Sequence, residues 1–218
     1  MNRRMLSSLG LMAVISLVAA SPGNAQDLAP IKLPAPQMDG GKPLMQVLKQ
    51  RLSAREFSPD RVPAQTLANL LWAAWGINRP DGHRTAPSAS NRQEIDIYVT
   101  LPEGAFLWDG KANTLNPVAA ADLRAATGTQ PFPATAPLNL VYVADMTKGA
   151  HSTADPQQML NIGADVGVIA ENVYLFCASE GLATVIRASV PKDTLAKALK
   201  LRDTQLIVLA QSVGYPKK

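Results

Sequence analysis

The sequence predicts an α+β protein, with a central sheet of mixed strand direction and helices packed on it. Three observations carry that prediction. Ile95, Ile97, Val99 and Leu101 alternate with Glu94, Asp96, Tyr98 and Thr100, the period of a half-buried strand. Leu138 to Ala144 is an apolar run rich in β-branched residues, which reads as a central strand. Met159, Ile162, Val166, Ile169, Val173 and Phe176 recur at helical spacing between Pro156 and Glu180, and Gly181 stands where a helix C-cap is expected.

Taken in order, the chain opens with Arg3 and Arg4, an apolar run from Leu9 to Ala20, and Ser21-Pro22-Gly23-Asn24-Ala25. A basic start, a short apolar core and a small-residue site describe a secretory leader, with cleavage expected after Ala25 and a periplasmic or secreted destination. Residues 26–43 are rich in Pro and Gly and read as an extended tail; residues 44–218 read as one domain. Leu44, Met45 and Leu48 give the apolar side of a first helix. Pro63 starts a second, with Leu67, Leu70, Leu71 and Ala74 on its buried face and Gly76 at its end. Asn78 to Asn91 is a polar loop, and ordered loops often carry function. Asp109-Gly110 marks a hairpin between Phe106-Leu107-Trp108 and Thr114-Leu115. A short helix is expected from Val118 to Ala126, a strand over Ala183 to Ile186, a short helix over Asp193 to Lys200, and a last strand over Leu206 to Val213. Gly163, Ala164, Gly167 and Ala170 on the long helix would let another backbone approach closely.

Composition narrows the function classes. The formal charge of +4 falls to about +2 without the leader, and Lys and Arg are scattered, so no nucleic-acid partner is expected. No stretch of the mature chain is expected to span a membrane. Cys177 is the only cysteine, which excludes an internal disulfide and leaves stability to the packed core. With two histidines, His83 and His151, both in polar loops, no metal site is expected. There is no G-x-S-x-G elbow, Walker loop, H-E-x-x-H or strand-linked G-x-G-x-x-G. No catalytic side chain is singled out.

Arg51-Leu52-Ser53-Ala54-Arg55-Glu56-Phe57 has two readings. Arginine grips phosphate bidentately and a hydroxyl adds a donor, so Arg51, Ser53 and Arg55 form a candidate phosphate clamp. If the run is helical, the arginines share a face; Ser53 and Glu56 would then also fit the capping box of an ordinary solvated helix end.

Downstream of that motif come Leu70-Leu71-Trp72-Ala73-Ala74-Trp75-Gly76-Ile77, then Arg84-Thr85-Ala86-Pro87-Ser88-Ala89-Ser90-Asn91-Arg92-Gln93 leading into a strand. A long helix ending Glu180-Gly181-Leu182-Ala183-Thr184 and a strand closing on Val213-Gly214-Tyr215-Pro216 follow. In this order and spacing the set resembles the nitroreductase family of FMN-dependent oxidoreductases, particularly the branch that includes the azoline dehydrogenases. The resemblance covers about Leu44 to Pro216. It implies FMN at a homodimer interface, the long helix packing against the partner copy, and two-electron transfer through flavin N5 to a nitroaromatic, quinone or similar acceptor. It implies cofactor contacts from Arg51, Ser53 and Arg55 at the phosphate end and from Pro87, Ser88, Ala89, Ser90 and Asn91 along the ring. Gly181 and Leu182 would offer backbone N–H groups near N5, and Gln93 is a further match. Two departures stand out. Many members carry a C-terminal basic pair, for which Lys217 and Lys218 are the only counterparts here. NAD(P)H, the family's donor, is cytoplasmic, so an exported enzyme would need another electron source. The rival readings are a flavin-binding module without turnover and an exported interaction domain without cofactor.

Overall fold

Residues 28–148 and 155–218 are described by the structure, a computed structural model. The expected leader and His151 lie outside the described residues. Among the described residues seven strands form one sheet: β1 (Ile31–Lys32), β2 (Ile95–Leu101), β3 (Gly104–Asp109), β4 (Thr114–Ala119), β5 (Leu138–Asp145), β6 (Ala183–Arg187) and β7 (Gln205–Gly214). Their order is β1-β4-β3-β2-β5-β7-β6. Among the described residues five α-helices surround it: α1 (Leu44–Gln50), α2 (Ala64–Trp75), α3 (Phe132–Thr135), α4 (Pro156–Glu180) and α5 (Lys192–Ala198).

The α+β class stands, with a correction to strand direction. Every pairing is antiparallel. A strand–helix–strand run such as β5-α4-β6 suggests a parallel pair. Here β5 and β6 do run the same way, but β7 inserts between them and pairs with both. From the proline-rich segment, Ile31–Lys32 adds the edge strand beside β4 and Leu33 is buried in the core.

The side chains of β5 sort by parity. Leu138, Leu140, Tyr142 and Ala144 face α2 and α4, with Ile95, Ile97 and Val99 of β2 and Ile162, Val166, Ile169 and Val173 of α4 in the same core. Val141 and Val143 face the other way, where Tyr98, Leu195, Leu199 and Ile207 form a second core. Hence β2 is not half-buried: α5 and the segment after β4 cover its second face, and Tyr98 and Thr100 are buried with the rest.

Other expectations need correcting. In α1 the buried residue is Val47, whereas Leu44, Met45 and Leu48 are exposed. No helix spans Val118 to Ala126; β4 takes its first residues, and only a 3₁₀ turn at Ala125–Thr127 follows. Phe132–Thr135, a single helical turn, had no periodic signal. Ala170 is buried in the core, so the small stripe on α4 is Gly163, Ala164 and Gly167. By length and apolar composition α4 is the one helix among the described residues that could cross a bilayer. It is the core helix here, with Ile162, Val166, Ile169 and Val173 fully buried.

Candidate functional site

Chain geometry around the arginine motif differs from a helix. Arg51 is the C-cap of α1, and its φ of −58° with ψ of 125° turns the chain out of the helix. Residues 52–56 belong to no helix, so neither a shared helical face nor a capping box exists there. The segment is pinned by Ala54 N–H, which donates to Thr184 O at 3.0 Å, and by the pairing of Phe57 with Pro216. Lys217 N–H donates to Glu56 O at 3.3 Å, which brings the backbone of Lys217 to the residue that follows Arg55.

Tyr174 of α4 organises this end. Its ring lies under the Arg51 guanidinium, 5.2 Å from centroid to Cζ. Its hydroxyl is 2.8 Å from Ser53 Oγ and accepts from Ile186 N–H at 3.0 Å. Arg51 and Arg55 form no ion pair among the described residues. Two unneutralised guanidiniums next to an immobilised hydroxyl suit a dianionic group.

A cavity of about 240 Å³ adjoins the segment, lined by Leu52, Ala54, Tyr174, Cys177, Gly181 and Leu182 among others. The side chains of Arg51, Ser53 and Arg55 are not part of its wall. Gly181 takes φ of 72°, the left-handed conformation that closes a helix. Its N–H and that of Leu182 both donate to Cys177 O, so these amides are committed to the helix end and not free for a ligand. What the turn offers is an exposed backbone without a side chain and the apolar Leu182. Cys177 is fully buried, and burial pushes its thiol pKa up, so it is no nucleophile.

The Pro87–Asn91 loop sits elsewhere. It contains a 3₁₀ turn at Ala89–Asn91, and Ser90, Asn91 and Gln93 have φ of 53°, 52° and 52°, unusual for residues with a Cβ. Gln93 holds the loop together. Its N–H donates to Ser88 Oγ, its amide nitrogen to Asn91 Oδ1 and Gly82 O, and its Oε1 accepts from Arg84 Nε. Ala89 N–H donates to both carboxylate oxygens of Asp165 on α4, at 3.1 and 3.0 Å. Pro87, Ser90 and Asn91 are exposed.

One protomer therefore does not unite the two halves of the candidate site. Asp165 and Tyr174 are nine residues apart on α4, about 14 Å along its axis and half a turn around it. The loop anchors at the first, the arginine motif at the second, and the Gly181 turn lies about 24 Å from Asp165 along the axis. On either side of Asp165, α4 exposes Leu160, Gly163, Ala164, Gly167, Val168 and Glu171. A Cβ on Gly163 or Gly167 would meet nothing within 4 Å. Sequence reasoning missed Tyr174, which looks like one more core position of the helical stripe. The available signal was its hydroxyl, since a buried tyrosine O–H requires a partner.

Comparison with known proteins agrees with this architecture. The family model described as Nitroreductase family matches residues 48–215. A protein of Methanocaldococcus jannaschii carrying the name of a nitroreductase is 27% identical over 176 residues, 76% of this chain and 88% of its own. A crystal structure from Ralstonia eutropha, named likewise, is 37% identical with a TM-score of 0.83, covering 94% of this chain and 97% of the other. The Escherichia coli microcin synthetase McbBCD complex shares the fold at 17% identity and a TM-score of 0.66, with 100% of this chain and 79% of that chain covered. With the family match spanning both the arginine motif and the final strand, this chain belongs to the nitroreductase family of oxidoreductases.

Proposed function

We propose that the chain is an exported FMN-dependent oxidoreductase that works as a homodimer and passes two electrons to a nitroaromatic, quinone or similar small acceptor. The observation that carries this reading is the pair Arg51 and Arg55. They lack ion-pair partners among the described residues and stand beside Ser53, whose hydroxyl Tyr174 fixes. A flavin phosphate supplies the charge they lack.

When bound, FMN supplies the redox chemistry, taking up and giving out a hydride equivalent at ring N5. This chain's residues bind and orient it. Arg51, Ser53 and Arg55 would hold the phosphate end, with Lys217 and Lys218 beside them. Leu182 and the bare backbone at Gly181 would form an apolar wall. Pro87, Ser88, Ala89, Ser90 and Asn91 would close the site from a second copy, because their own protomer holds them on the far side of α4. A cavity of about 240 Å³ is below the range of roughly 300–1,000 Å³ common for ligand sites, which fits half a site. The exposed stripe at Leu160, Gly163, Gly167 and Val168, together with exposed Leu44, Met45 and Leu48, supports a face for the partner copy.

Export rests on residues 1–25, with cleavage after Ala25, and places the donor outside the cytoplasmic NAD(P)H pool. The test is a turnover assay on the purified FMN-loaded protein. Chemical reduction followed by a nitroaromatic or quinone should restore the oxidised flavin spectrum within the catalytic time range. Flavin that bleaches but passes no electrons to any acceptor tried would mean a binding module without turnover.

A further inference from the structure

We propose that the cavity between residues 37–42, α2 and α4 binds planar aromatic molecules that carry no negative charge, serving as the acceptor site while turning away a nicotinamide dinucleotide. As an acceptor site it rests on the flavin reading above; as a binding site it does not.

The cavity holds about 520 Å³, larger than the half-site beside Tyr174 and within the roughly 300–1,000 Å³ common for small-molecule sites. Two of its walls are α2 and α4, and residues 37–42 cross from one helix to the other. The crossing is fastened at both ends. Gln37 N–H donates to Asn69 Oδ1 of α2 at 2.8 Å, and Lys42 N–H donates to Ser179 Oγ of α4 at 3.0 Å. Between these points Gly40 and Gly41 take φ of 118° and 84°, a turn that glycine makes without strain. The crossing precedes residues 48–215, the stretch that the family model matches, so this wall lies outside the shared family pattern.

Trp72 of α2 and Phe176 of α4, both half-buried, give the cavity two aromatic rings, which suit a flat aromatic guest. Its polar groups are amides. Asn172 Nδ2 donates to Ala73 O, and Asn69 Oδ1 accepts from Gln37 and Gln65, so Asn172 Oδ1 and Asn69 Nδ2 remain for the edge of a ligand. Charge then narrows the class. The charged side chains lining the cavity are Asp39, Lys42 and Glu180. The Lys42 ammonium is engaged with Gln50 Oε1 at 3.0 Å and Ala178 O at 3.2 Å. Asp39 and Glu180 take part in no ion pair among the described residues. Carboxylates beside aromatic faces favour a neutral or cationic ring and repel an anion. The pyrophosphate of a dinucleotide requires the opposite, several cationic donors.

Position ties the cavity to the redox site. Lys42 lines both this cavity and the smaller one beside Tyr174, and on α4 Phe176 borders the first while Cys177 borders the second. The two spaces are neighbours that share the Lys42 wall.

The experiment follows the tryptophan indole N–H signals by ¹⁵N NMR at low salt, with the Trp72 signal assigned from Trp72→Phe. N-methylquinolinium and quinoline should shift that signal saturably, 1-naphthoate should bind at least about tenfold more weakly than N-methylquinolinium, and NADH should leave Trp72 unmoved. Asp39→Asn/Glu180→Gln, at two exposed positions, should bring the cation and the anion to within about threefold of each other. In the FMN-loaded protein, reduced without excess reductant, N-methylquinolinium at about ten times its Kd should slow flavin reoxidation by 1,4-benzoquinone about tenfold. No saturable shift at Trp72, or 1-naphthoate bound as tightly as N-methylquinolinium, overturns the binding site. Unslowed reoxidation with the Trp72 shift intact overturns its role as acceptor site. Charge-selective binding in a protein that takes up no FMN supports the cavity and refutes the flavin reading instead.

Discussion

The Ser53 hydroxyl and the Tyr174 hydroxyl lie 2.8 Å apart, joining the segment after α1 to α4 at the point where Arg51 stacks on the tyrosine ring. Tyr174 also accepts from Ile186 N–H, so a single oxygen ties the arginine motif, the long helix and β6 together. Tyr174→Phe keeps the ring under Arg51 but leaves Ser53 free to rotate and Ile186 N–H unpaired. We expect a stability loss of about 1–2 kcal/mol by urea unfolding and FMN binding weaker by roughly five- to tenfold. Unchanged affinity would show that the Ser53 contact plays no part in the site.

Gly76 ends α2 for a steric reason. Its φ of −70° is open to any residue, but a Cβ would stand 2.3 Å from Trp72 Cδ1 and 2.6 Å from Trp72 O. Gly76→Ala should therefore cost about 1–3 kcal/mol through displacement of Trp72, measurable as a lower urea midpoint. A neutral result would mean that the helix end shifts enough to clear both the Trp72 ring and its carbonyl.

The Glu94 carboxyl gives stability a definite pH dependence. Its folded pKa of about 7 lies above the ordinary 4.5, so the folded state binds its proton more tightly. The resulting stabilisation is complete below about pH 4.5 and is lost as pH rises through about 7. Relative to Glu94→Gln, the wild type should lose on the order of 2 kcal/mol between about pH 5 and pH 8 in urea unfolding. Parallel pH profiles for the two proteins would contradict this.

If the site is shared between copies, breaking the pair must empty it. Val168 is 39% exposed on the same stripe as Gly163 and Gly167. Val168→Glu should give a folded monomer by sedimentation that retains little or no FMN. A monomer with full flavin content would place the whole site within one chain.

Much of this was legible in the sequence where a pattern has one physical meaning. Pro156 and Gly181 bracket an apolar stripe, and α4 has those bounds because proline opens a helix and a left-handed glycine closes one. Leu138 to Asp145 is buried throughout, as its β-branched composition suggests. Reading failed where burial depends on something distant. Tyr98 and Thr100 look solvent-facing until α5, almost a hundred residues later, covers them. Leu44, Met45 and Leu48 look like a core face, yet only Val47 points inward. The arginine motif was legible as chemistry, whereas its place outside any helix was not, because the Ser53–Glu56 spacing fits a capping box that the chain does not form. Tyr174 was hidden by its own suitability for the core.

The most direct test of the central claim is the absorbance spectrum and FMN content of the purified wild-type protein beside Arg51→Ala/Arg55→Ala, both incubated with FMN and desalted. The wild type should be yellow, holding about one FMN per protomer, and the double variant folded and colourless, because no other ion-pair-free arginines flank Ser53 among the described residues. A double variant that stays fully yellow, or a wild type that takes up no flavin, would contradict it.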